Sequence, residues 1–445
     1  KTYGIDLRSK SNAQMAEAII TSEVEKMKKA KVERPPDLGG STFRYKIPNW
    51  MELWEIDILE DIRRAEFMVS DKGNVLIPDS FKTPYVTKAM NPDGSFRNVT
   101  KYRDREIRFR DKVYRMGIGG LHSSETKQVI QTDRARLLMD FDVASYYPSI
   151  VLNEKLYPCH LGEEFLAVYR GLVENRLAKK TRVAELKKAS PGSLELVAVT
   201  AEMEGLKIAV NGTFGKLGSR YSPLYSPDLL IQVTLTGQLA LLMLIESIGG
   251  IEGVEVASAN TDGILVSCNR SEESAVLEAV KRWEHITGYV MERVDYRAIF
   301  ARDVNNYIAI KLDGDVKAKG AYGKGLPLHK NPSVDICAEA VIAYVKERRS
   351  IEETIRSCHD MRKFVKVQRV TGGAVYQGQS IGKVVRWYYS NESVDAIYYA
   401  LNKRLVAQTE GTKPLIELPF ELPADINYDW YIQEAKSMIW DLGLD

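Results

Sequence analysis

Two aspartates in a short apolar run constrain this chain most. Residues 137–143 read Leu-Leu-Met-Asp-Phe-Asp-Val, and a buried apolar run holds ionised carboxylates only when a partner compensates their charge. Asp140 and Asp142 are two residues apart, so in a strand they share one face. Asp142 then stands where the strand gives way to a predicted turn over 145–149. Either both acids are capping or salt-bridged groups, or Asp142 is a metal ligand.

Another acid, Asp262, belongs to a turn between two β-rich runs. Residues 254–268 predict strand, tight turn and strand, with Asn260-Thr261-Asp262-Gly263 at the turn. An acid at such a tip is by itself ordinary turn chemistry. Two strand-end acids far apart in sequence can nevertheless meet across a sheet and hold two divalent ions, which suits phosphoryl transfer. Their hard oxygen ligands favour Mg²⁺ or Mn²⁺ over zinc.

Between these acids, the pattern predicts an antiparallel pair of helices over 163–188 and 193–211. Arg176 and Lys180 are one turn apart on the first helix, so they project from one face. Lys207 on the second helix could join them around a triphosphate. A solvated basic face is the alternative, but Arg176 and Lys180 continue an apolar stripe and therefore point toward the rest of the protein.

Composition sets wider limits. The chain has 445 residues with 44% hydrophobic and 27% charged residues, which is ordinary for a globular protein with two to four domains. The four cysteines lie far apart without a CxxC pair, so neither a disulfide framework nor a zinc site is expected. The net charge of +2 means that a nucleic-acid surface must come from local clustering. The first residue is Lys1 rather than Met, which is compatible with a fragment.

Several further elements follow from local patterns. A helix is predicted over 11–30, with Ser11 as N-cap and Gln14 completing a capping box. The other expectations are a loop over 34–49, helical patterns over 50–65 and 228–248, and helical stretches around a Gly-rich patch at 371–382 in the region from 331. The segment 96–115 has eight Lys and Arg residues against three acids. It predicts either a solvated strand or a phosphate-contacting edge.

The ordered motifs resemble those of family B DNA polymerases. The segment 142–150 resembles DxxSLYPSI, 207–215 resembles KxxxNSxYG, and 260–263 resembles DTDS. The Gly119–Ser123 sequence Gly-Gly-Leu-His-Ser is similar to the Gly-Gly loop that precedes the first motif, and Arg176-xxx-Lys180 matches the basic helix of the fingers. The resemblance covers roughly 115–325. The compact fingers and this loop look most like those of bacteriophage enzymes.

The resemblance implies an α+β right-hand fold with an antiparallel-sheet palm, two-helix fingers and a mainly helical thumb. The expected division is 1–115 for an N-terminal region or linker, 116–162 and 212–330 for the palm, 163–211 for the fingers, and 331–445 for the thumb. We expect no run long enough to cross a bilayer and no signal peptide. A cytoplasmic protein without a membrane partner is expected, in the host cytoplasm if a phage encodes it.

The resemblance also implies roles for individual residues. Asp142 and Asp262 would be catalytic and would hold Mg²⁺, with Mn²⁺ as the alternative ion, together with the backbone carbonyl of Val143. Tyr147 would exclude a 2′-hydroxyl. The implied nucleotide-binding residues are Ser145, Tyr146, Tyr147, Arg176, Lys180, Lys207, Asn211 and Phe214, and the implied DNA-binding residues are Gly119, Gly120, Gly215 and Lys319.

The implied function is that of a DNA-directed DNA polymerase, a nucleotidyltransferase that extends a nucleic-acid primer with dNTPs in phage DNA replication. Its partners would be primed DNA template and dNTPs, with an N-terminal exonuclease domain or separate replication factors. The alternatives are a primase-polymerase-type nucleotidyltransferase and a non-catalytic, polymerase-like nucleic-acid-binding module.

The chain departs from the family pattern at several positions. Asn260 stands where the family usually has Asp, and this loss is the main support for the non-catalytic alternative. The other departures are Gly212 and Gly263 in place of Ser, Phe214 in place of Tyr, and Asn305-Asn306-Tyr307 in place of a lysine-containing KxY.

Overall fold

The chain folds into two compact units in a computed structural model, which describes residues 4–6, 10–91, 95–323, 325 and 333–444. The first unit consists of Lys1–Ser124 and Asp140–Arg293, and the second of Glu125–Met139 and Val294–Asp445. Both combine helices with antiparallel strands, so the predicted mixture of helices and antiparallel sheets is confirmed. The predicted five-part division stays a prediction, and its boundary at 330/331 lies outside the described residues.

Six neighbouring strands of sheet carry both predicted acids of the first unit. In the order in which they pair, these strands are Arg136–Val143, Gly263–Asn269, Val254–Asn260, His122–Ser123, Lys112–Met116 and Arg105–Phe109. The first of these strands begins in the second unit and ends in the first. Its residues Met139, Phe141 and Val143 are buried while Asp140 and Asp142 are half-buried, as expected for a strand with one apolar face. The two acids therefore share a face, as predicted.

The predicted strand, turn and strand over 254–268 is confirmed. Val254–Asn260 and Gly263–Asn269 pair antiparallel, with Asn260 opposite Gly263. Thr261 and Asp262 form the two-residue connection, and Thr261 adopts a left-handed φ of 59°, as tight hairpin turns require. We call these two strands and their turn the acidic hairpin.

The predicted turn over 145–149 is instead the start of a helix, Tyr146–Asn153. Its N-cap, Ser145, has a left-handed φ of 51°. Pro148 lies in the first turn of this helix, where its missing amide costs no helical hydrogen bond. The sequence pattern suggested a turn because Pro and Ser dominate it, but those residues also suit a helix start.

The long apolar helix is Pro227–Gly249. By length and composition it could cross a membrane, so the expectation that no run is long enough was too broad. However, 78% of its most apolar window is buried inside the protein. The indole of Trp283, on the helix Glu273–Thr287, donates to the carbonyl of Ala240 over 2.7 Å. This helix is therefore a core element of the first unit.

The two predicted helices are present as Glu164–Ala189 and Leu194–Leu217, and we call them the helical hairpin. The N-terminal helix Asn12–Lys28, with the predicted Ser11 and Gln14 capping box, packs on both of them. A β-carbon on Gly212 would lie 2.8 Å from the β-carbon of Ala16. The Ser usual at that position would therefore not fit against the N-terminal helix.

The remaining N-terminal part is built from short elements. The predicted loop over 34–49 holds only one short strand, and the helical pattern over 50–65 divides into a 3₁₀ turn and one short helix. The elements are the strands Thr42–Phe43, Phe67–Val69 and Val75–Leu76, the 3₁₀ turns Asn49–Met51 and Asp79–Phe81, and the helix Asp57–Arg64. Next come the strands Thr83–Met90 and Phe96–Arg103, which form a two-stranded sheet of their own in the described part of the chain. We call them the ribbon.

The second unit contains two sheets and three helices in its described part. One sheet is formed by Thr126–Gln131, the end of Met291–Asp303, Asn306–Lys311 and Val316–Lys319, and the other by Lys366–Tyr376, Gln379–Tyr389, Tyr398–Tyr399 and Thr412–Pro414. The helices are Asp335–Glu347, Ile351–Arg356 and Tyr428–Asp441. The buried faces of these helices form one core with Phe364, Tyr388 and Tyr389.

The prediction of a mainly helical region from 331 is wrong. A four-stranded sheet occupies much of it, because its Gly-rich patch forms a long antiparallel hairpin rather than a break between helices. Gly372, Gly373, Gly378 and Gly382 all have φ between 78° and 89°, and the pairing register shifts between Arg369 and Ala374. These glycines allow the bulge and the tight turn of the hairpin.

Candidate active site

Two neighbouring strand ends bring Asp142 and Asp262 to one place. Asp142 is the penultimate residue of its strand, and Asp262 lies in the turn of the acidic hairpin. The backbone amide of Val143 donates to the carbonyl oxygen of Asp262 over 2.7 Å. A backbone hydrogen bond from the residue after Asp142 thus joins the two segments that hold the predicted metal-binding aspartates.

Gly263 allows this close approach. A β-carbon on residue 263 would overlap Oδ1 of Asp142 and lie 2.7 Å from the carbonyl oxygen of Phe141. Real side chains do not tolerate such contacts, so residue 263 must lack a side chain while Asp142 stays where it is. The departure from the family's Ser has a steric reason here, which no pattern in the sequence indicated.

The Gly119–Ser123 loop supports the acidic hairpin. A β-carbon on Gly120 would overlap Oγ1 of Thr261 and lie 2.7 Å from its Cα, and the amide of Thr261 donates to the carbonyl of Leu121 over 2.8 Å. By contrast, a β-carbon on Gly119 would meet nothing within 4 Å. Gly120 is therefore required for contact with the hairpin turn, whereas the DNA-binding role predicted for both glycines stays a prediction.

Asn260, which differs from the family pattern, lies next to His122. Nothing in the sequence singled out His122. The two residues pair directly across adjacent strands, and Nε2 of His122 lies 3.3 Å from Oγ1 of Thr261. Burial lowers the pKa of His122, although its hydrogen bond with Asn260 acts in the opposite direction. The imidazole beside the hairpin turn is therefore neutral near pH 7.

Restoring the acid with Asn260→Asp is expected to raise the pKa of His122, because a nearby carboxylate stabilises the imidazolium. An NMR titration of the histidine ring protons measures this, and the five histidines of the chain keep the spectrum assignable. Asn260→Ser removes the amide without adding charge and serves as the control. A pKa equal to or below that of the parent would contradict the predicted contact.

Tyr147 faces a cavity next to Asp262, while its neighbour Tyr146 faces the core. The ring centroids of Tyr147 and Phe214 are 4.3 Å apart. Burial, with a smaller contribution from the charge of Asp262, raises the pKa of Tyr147 to about 12, so its phenol is neutral near pH 7. Tyr146 is buried and its hydroxyl donates to the carbonyl of Gly237 over 2.7 Å. Its predicted nucleotide contact can therefore involve little of its ring.

The helical hairpin brings two of its three predicted cations to this cavity. Nη1 of Arg176 donates to Oγ of Ser145 over 2.9 Å. Lys207 also lines the cavity, with its ammonium 3.7 Å from Glu204 and about half of its side chain exposed. Lys180 does not line it and instead forms a 2.6 Å ion pair with Glu292. The sequence could not indicate this pairing because Glu292 is 112 residues away.

The cavity has a volume of about 460 Å³, within the range of small-molecule sites. Its wall is formed by Val143, Ser145, Tyr146, Tyr147, Pro148, Arg176, Lys207, Val210, Asn211, Phe214, Thr261 and Asp262. The wall thus combines a carboxylate and hydroxyl groups with two cations and an amide. This arrangement fits a ligand that has both an anionic part and a flat or apolar part.

The donors at the two strand ends suit a hard divalent ion. The carboxylates of Asp142 and Asp262 and the carbonyl of Val143 are all oxygen ligands, which Mg²⁺ and Mn²⁺ prefer. No group of three or more His, Cys, Asp or Glu side chains with metal-binding geometry occurs in the described part of the chain. Because Mg²⁺ usually keeps waters and substrate phosphates as ligands, a two-aspartate set is sufficient for it.

Two predicted DNA-binding residues, Gly215 and Lys319, do not line this cavity. A β-carbon on Gly215 would meet nothing within 4 Å, so packing alone does not explain a glycine there. Lys319 belongs to the second unit, where its ammonium lies 5.8 Å from the ring centroid of Tyr307. Its predicted DNA contact stays a prediction.

Lys363 and Lys366, in the region from 331, both have neighbours within the protein. Trp387, Tyr388 and Tyr389 are buried, and Lys366 lies 6.0 Å from the ring centroid of Trp387. Lys363 forms a 2.7 Å ion pair with Glu339. The three aromatic rings are thus part of the core, with Lys366 beside it and Lys363 beside an acid.

Comparisons with known proteins agree with the motifs. No family model matches the chain. A curated protein, DNA polymerase 2 of Aeropyrum pernix, is 23% identical over 260 residues, covering 50% of this chain and 32% of the relative. This chain thus aligns with about a third of the length of that relative. A solved family B DNA polymerase from Pyrobaculum calidifontis is 16% identical with a TM-score of 0.40, covering 76% of this chain and 48% of the other. The ordered motifs, together with the curated relative, confirm that this chain resembles family B DNA polymerases.

Proposed function

We propose that the chain is a template-directed DNA polymerase that extends a nucleic-acid primer with dNTPs. One observation carries the proposal: the first and third motifs meet at a hydrogen-bonded pair of strand ends, beside a cavity that also receives Arg176, Lys207 and Asn211. These residues come from segments far apart in the sequence. A common nucleotide site explains why oxygen ligands, cations and an aromatic pair converge there.

In the proposed reaction the primer 3′-hydroxyl loses its proton to water and attacks the α-phosphorus of a dNTP. A new phosphorus–oxygen bond forms, the bond from the α-phosphorus to the oxygen that bridges to the β-phosphorus breaks, and pyrophosphate leaves. Asp142, Asp262 and the carbonyl of Val143 would hold the divalent ions. When bound, such ions lower the pKa of the attacking hydroxyl and stabilise the charge on the leaving group. Arg176 and Lys207 would neutralise the triphosphate as fixed cations. Asn211 and Ser145 would orient the nucleotide.

Tyr147 would select deoxynucleotides by its bulk. Because Phe214 supports its ring at a 4.3 Å centroid distance, the ring would form a rigid wall against the sugar. Its hydroxyl stays protonated below a pKa of about 12, so the selection is expected to be independent of pH over the working range.

The change Tyr147→Ala is therefore expected to reduce the preference for dNTPs over rNTPs by about a hundredfold, the order of discrimination that a shaped pocket provides against one added hydroxyl. Single-nucleotide incorporation with each substrate measures the ratio of kcat/KM values. Tyr147→Phe retains the ring and is expected to retain the preference. Equal use of both nucleotides by the parent protein would favour the primase-polymerase alternative instead.

The basic test is primer extension on a primed DNA template with and without Mg²⁺, repeated with Mn²⁺. Extension that requires one of these ions is expected. Binding of primed DNA without any extension would contradict the proposal and favour the non-catalytic alternative. The bacteriophage type, a role in phage replication, and association with an exonuclease domain or separate replication factors remain predictions that this assay does not address.

A further inference from the structure

The ribbon is exposed on both of its faces. None of its residues in Thr83–Met90 and Phe96–Arg103 is buried, and the two strands form a sheet of their own. An isolated two-stranded sheet is at best marginally stable in water. Exposed apolar side chains that gather on such an element indicate a binding surface.

One face of the ribbon is basic. Directly opposite residues of an antiparallel pair share a face, so Tyr85 and Lys101 are neighbours, as are Ala89 and Arg97. Arg103 is on the same face, with its guanidinium 5.5 Å from the ring centroid of Tyr85. This face therefore presents three cations around one aromatic ring.

The other face presents apolar side chains. Met90 lies opposite Phe96, and they are 70% and 67% exposed. Val86 and Tyr102 are on this face too and are 67% and 46% exposed. The rings of Phe96 and Tyr102 have π faces available to a flat ligand.

The charge of the ribbon favours an anionic partner. Its described residues include no Asp or Glu. Arg103 pairs with Glu106, just beyond the ribbon, over 2.8 Å. Lys88, Arg97 and Lys101 form no ion pair within the described residues, so their charge is available to an external phosphate.

We propose that the ribbon binds single-stranded nucleic acid on its basic face, with phosphates on Arg97 and Lys101 and an unpaired base stacked on the ring of Tyr85. Cations that follow a backbone, interleaved with aromatic rings, are the combination that binds single strands without sequence preference. A duplex hides its base faces and would use only the cations. The inference rests on the proposed function, because a template-directed polymerase needs a contact for the unpaired template.

The test measures binding of a fluorescent 20-nucleotide oligothymidine to the full chain by anisotropy, without dNTPs or divalent ions, at several salt concentrations. The double change Arg97→Ala with Lys101→Ala is expected to weaken binding about tenfold at low salt. It should also reduce the slope of log affinity against log salt by roughly 0.7 for each phosphate that is no longer bound. Tyr85→Ala is expected to weaken binding by about tenfold with an unchanged slope.

The matched control is Lys281→Ala with Arg282→Ala, which removes two cations from the helix Glu273–Thr287 of the same unit. It is expected to bind like the parent. Equal losses in the control and the ribbon variants, unchanged affinity in the ribbon variants, or tighter binding to a duplex of the same length would each overturn the proposal. Unchanged affinity would leave the apolar face to a protein partner. Melting curves that match the parent confirm that the exposed substitutions leave the fold intact.

The outcome is separable from that of the proposed function because the binding measurement contains no chemistry. A chain that binds oligothymidine through the ribbon but never extends a primer would contradict only the polymerase proposal. A chain that extends primers while the ribbon variants bind normally would overturn only the ribbon proposal.

Discussion

Replacing Asp262 by Asn is expected to reduce primer extension by at least about a thousandfold. The change keeps the shape of the side chain but removes the charge that would hold a divalent ion at the hairpin turn. Because such an ion contributes several kcal/mol of transition-state stabilisation, and each 1.36 kcal/mol corresponds to about tenfold in rate, a loss of this size follows. Single-turnover incorporation of one dNTP at saturating Mg²⁺ measures it.

Asp140→Asn is the matched control for this experiment. Asp140 is on the same face of the same strand as Asp142, two residues before it, but has no place in the proposed site. Its rate is expected to stay within about threefold of the parent, since about 0.7 kcal/mol corresponds to that factor. If Asp262→Asn kept a tenth of the parent rate while melting normally, Asp262 would not be a metal ligand. A large loss of rate in Asp140→Asn alone would indicate that Asp140 belongs to the metal site.

Replacing Gly263 by Ser is expected to reduce extension by about a hundredfold, although Ser is the usual residue of the family motif. The new β-carbon would overlap Oδ1 of Asp142, so either this carboxylate or the hairpin turn must move by about 1 Å. A displacement of that order at a reacting centre can cost about a hundredfold in rate. The same single-turnover assay applies, and KM for the dNTP is expected to change less than kcat.

Gly171→Ala provides the steric control, because a β-carbon on Gly171 would meet nothing within 4 Å. Alanine favours a helix over glycine by about 1 kcal/mol, so this variant should melt at the same temperature as the parent or higher, with the same activity. Full activity in Gly263→Ser would show that the two strand ends can separate without harm to the site. A variant that fails to fold would be recognised from its melting curve, and Gly263→Ala then offers a smaller version of the same steric test.

The two glycine departures from the family pattern have one kind of explanation. Gly263 is in contact with Asp142, and Gly212 is in contact with Ala16 of the N-terminal helix. In each case the family's Ser would collide with a neighbour that is distant in sequence. Close packing at residues 212 and 263 therefore accounts for glycine in place of the family's Ser. Neither departure by itself argues against a catalytic site.

Asn260 is better described as part of a neutral cluster than as a damaged ligand. It pairs with His122 across the sheet, and burial keeps this imidazole uncharged near neutral pH. The backbone amide of Val143, in the first motif, donates to the carbonyl of Asp262. The non-catalytic alternative therefore gains no support from the surroundings of Asn260, and primer extension remains its direct test.

The sequence by itself determined the elements that depend on local chemistry. The capping box at Ser11, the acidic hairpin and the paired helices follow from short-range patterns, because caps, turns and amphipathic faces involve residues that are near each other in the chain. The order of the motifs also indicated that Asp142 and Asp262 belong together. Such information is local or is contained in residue types, so a single sequence suffices for it.

Only the tertiary structure decided the features that depend on distant neighbours. Lys180 pairs with Glu292 instead of lining the cavity, and Gly120 is required by Thr261. The Gly-rich patch from 371 became a sheet because its cross-strand partners, not its local propensity, determine its conformation. Contacts of this kind join residues far apart in the chain, and steric fit at the ångström scale has no signature in the order of the amino acids.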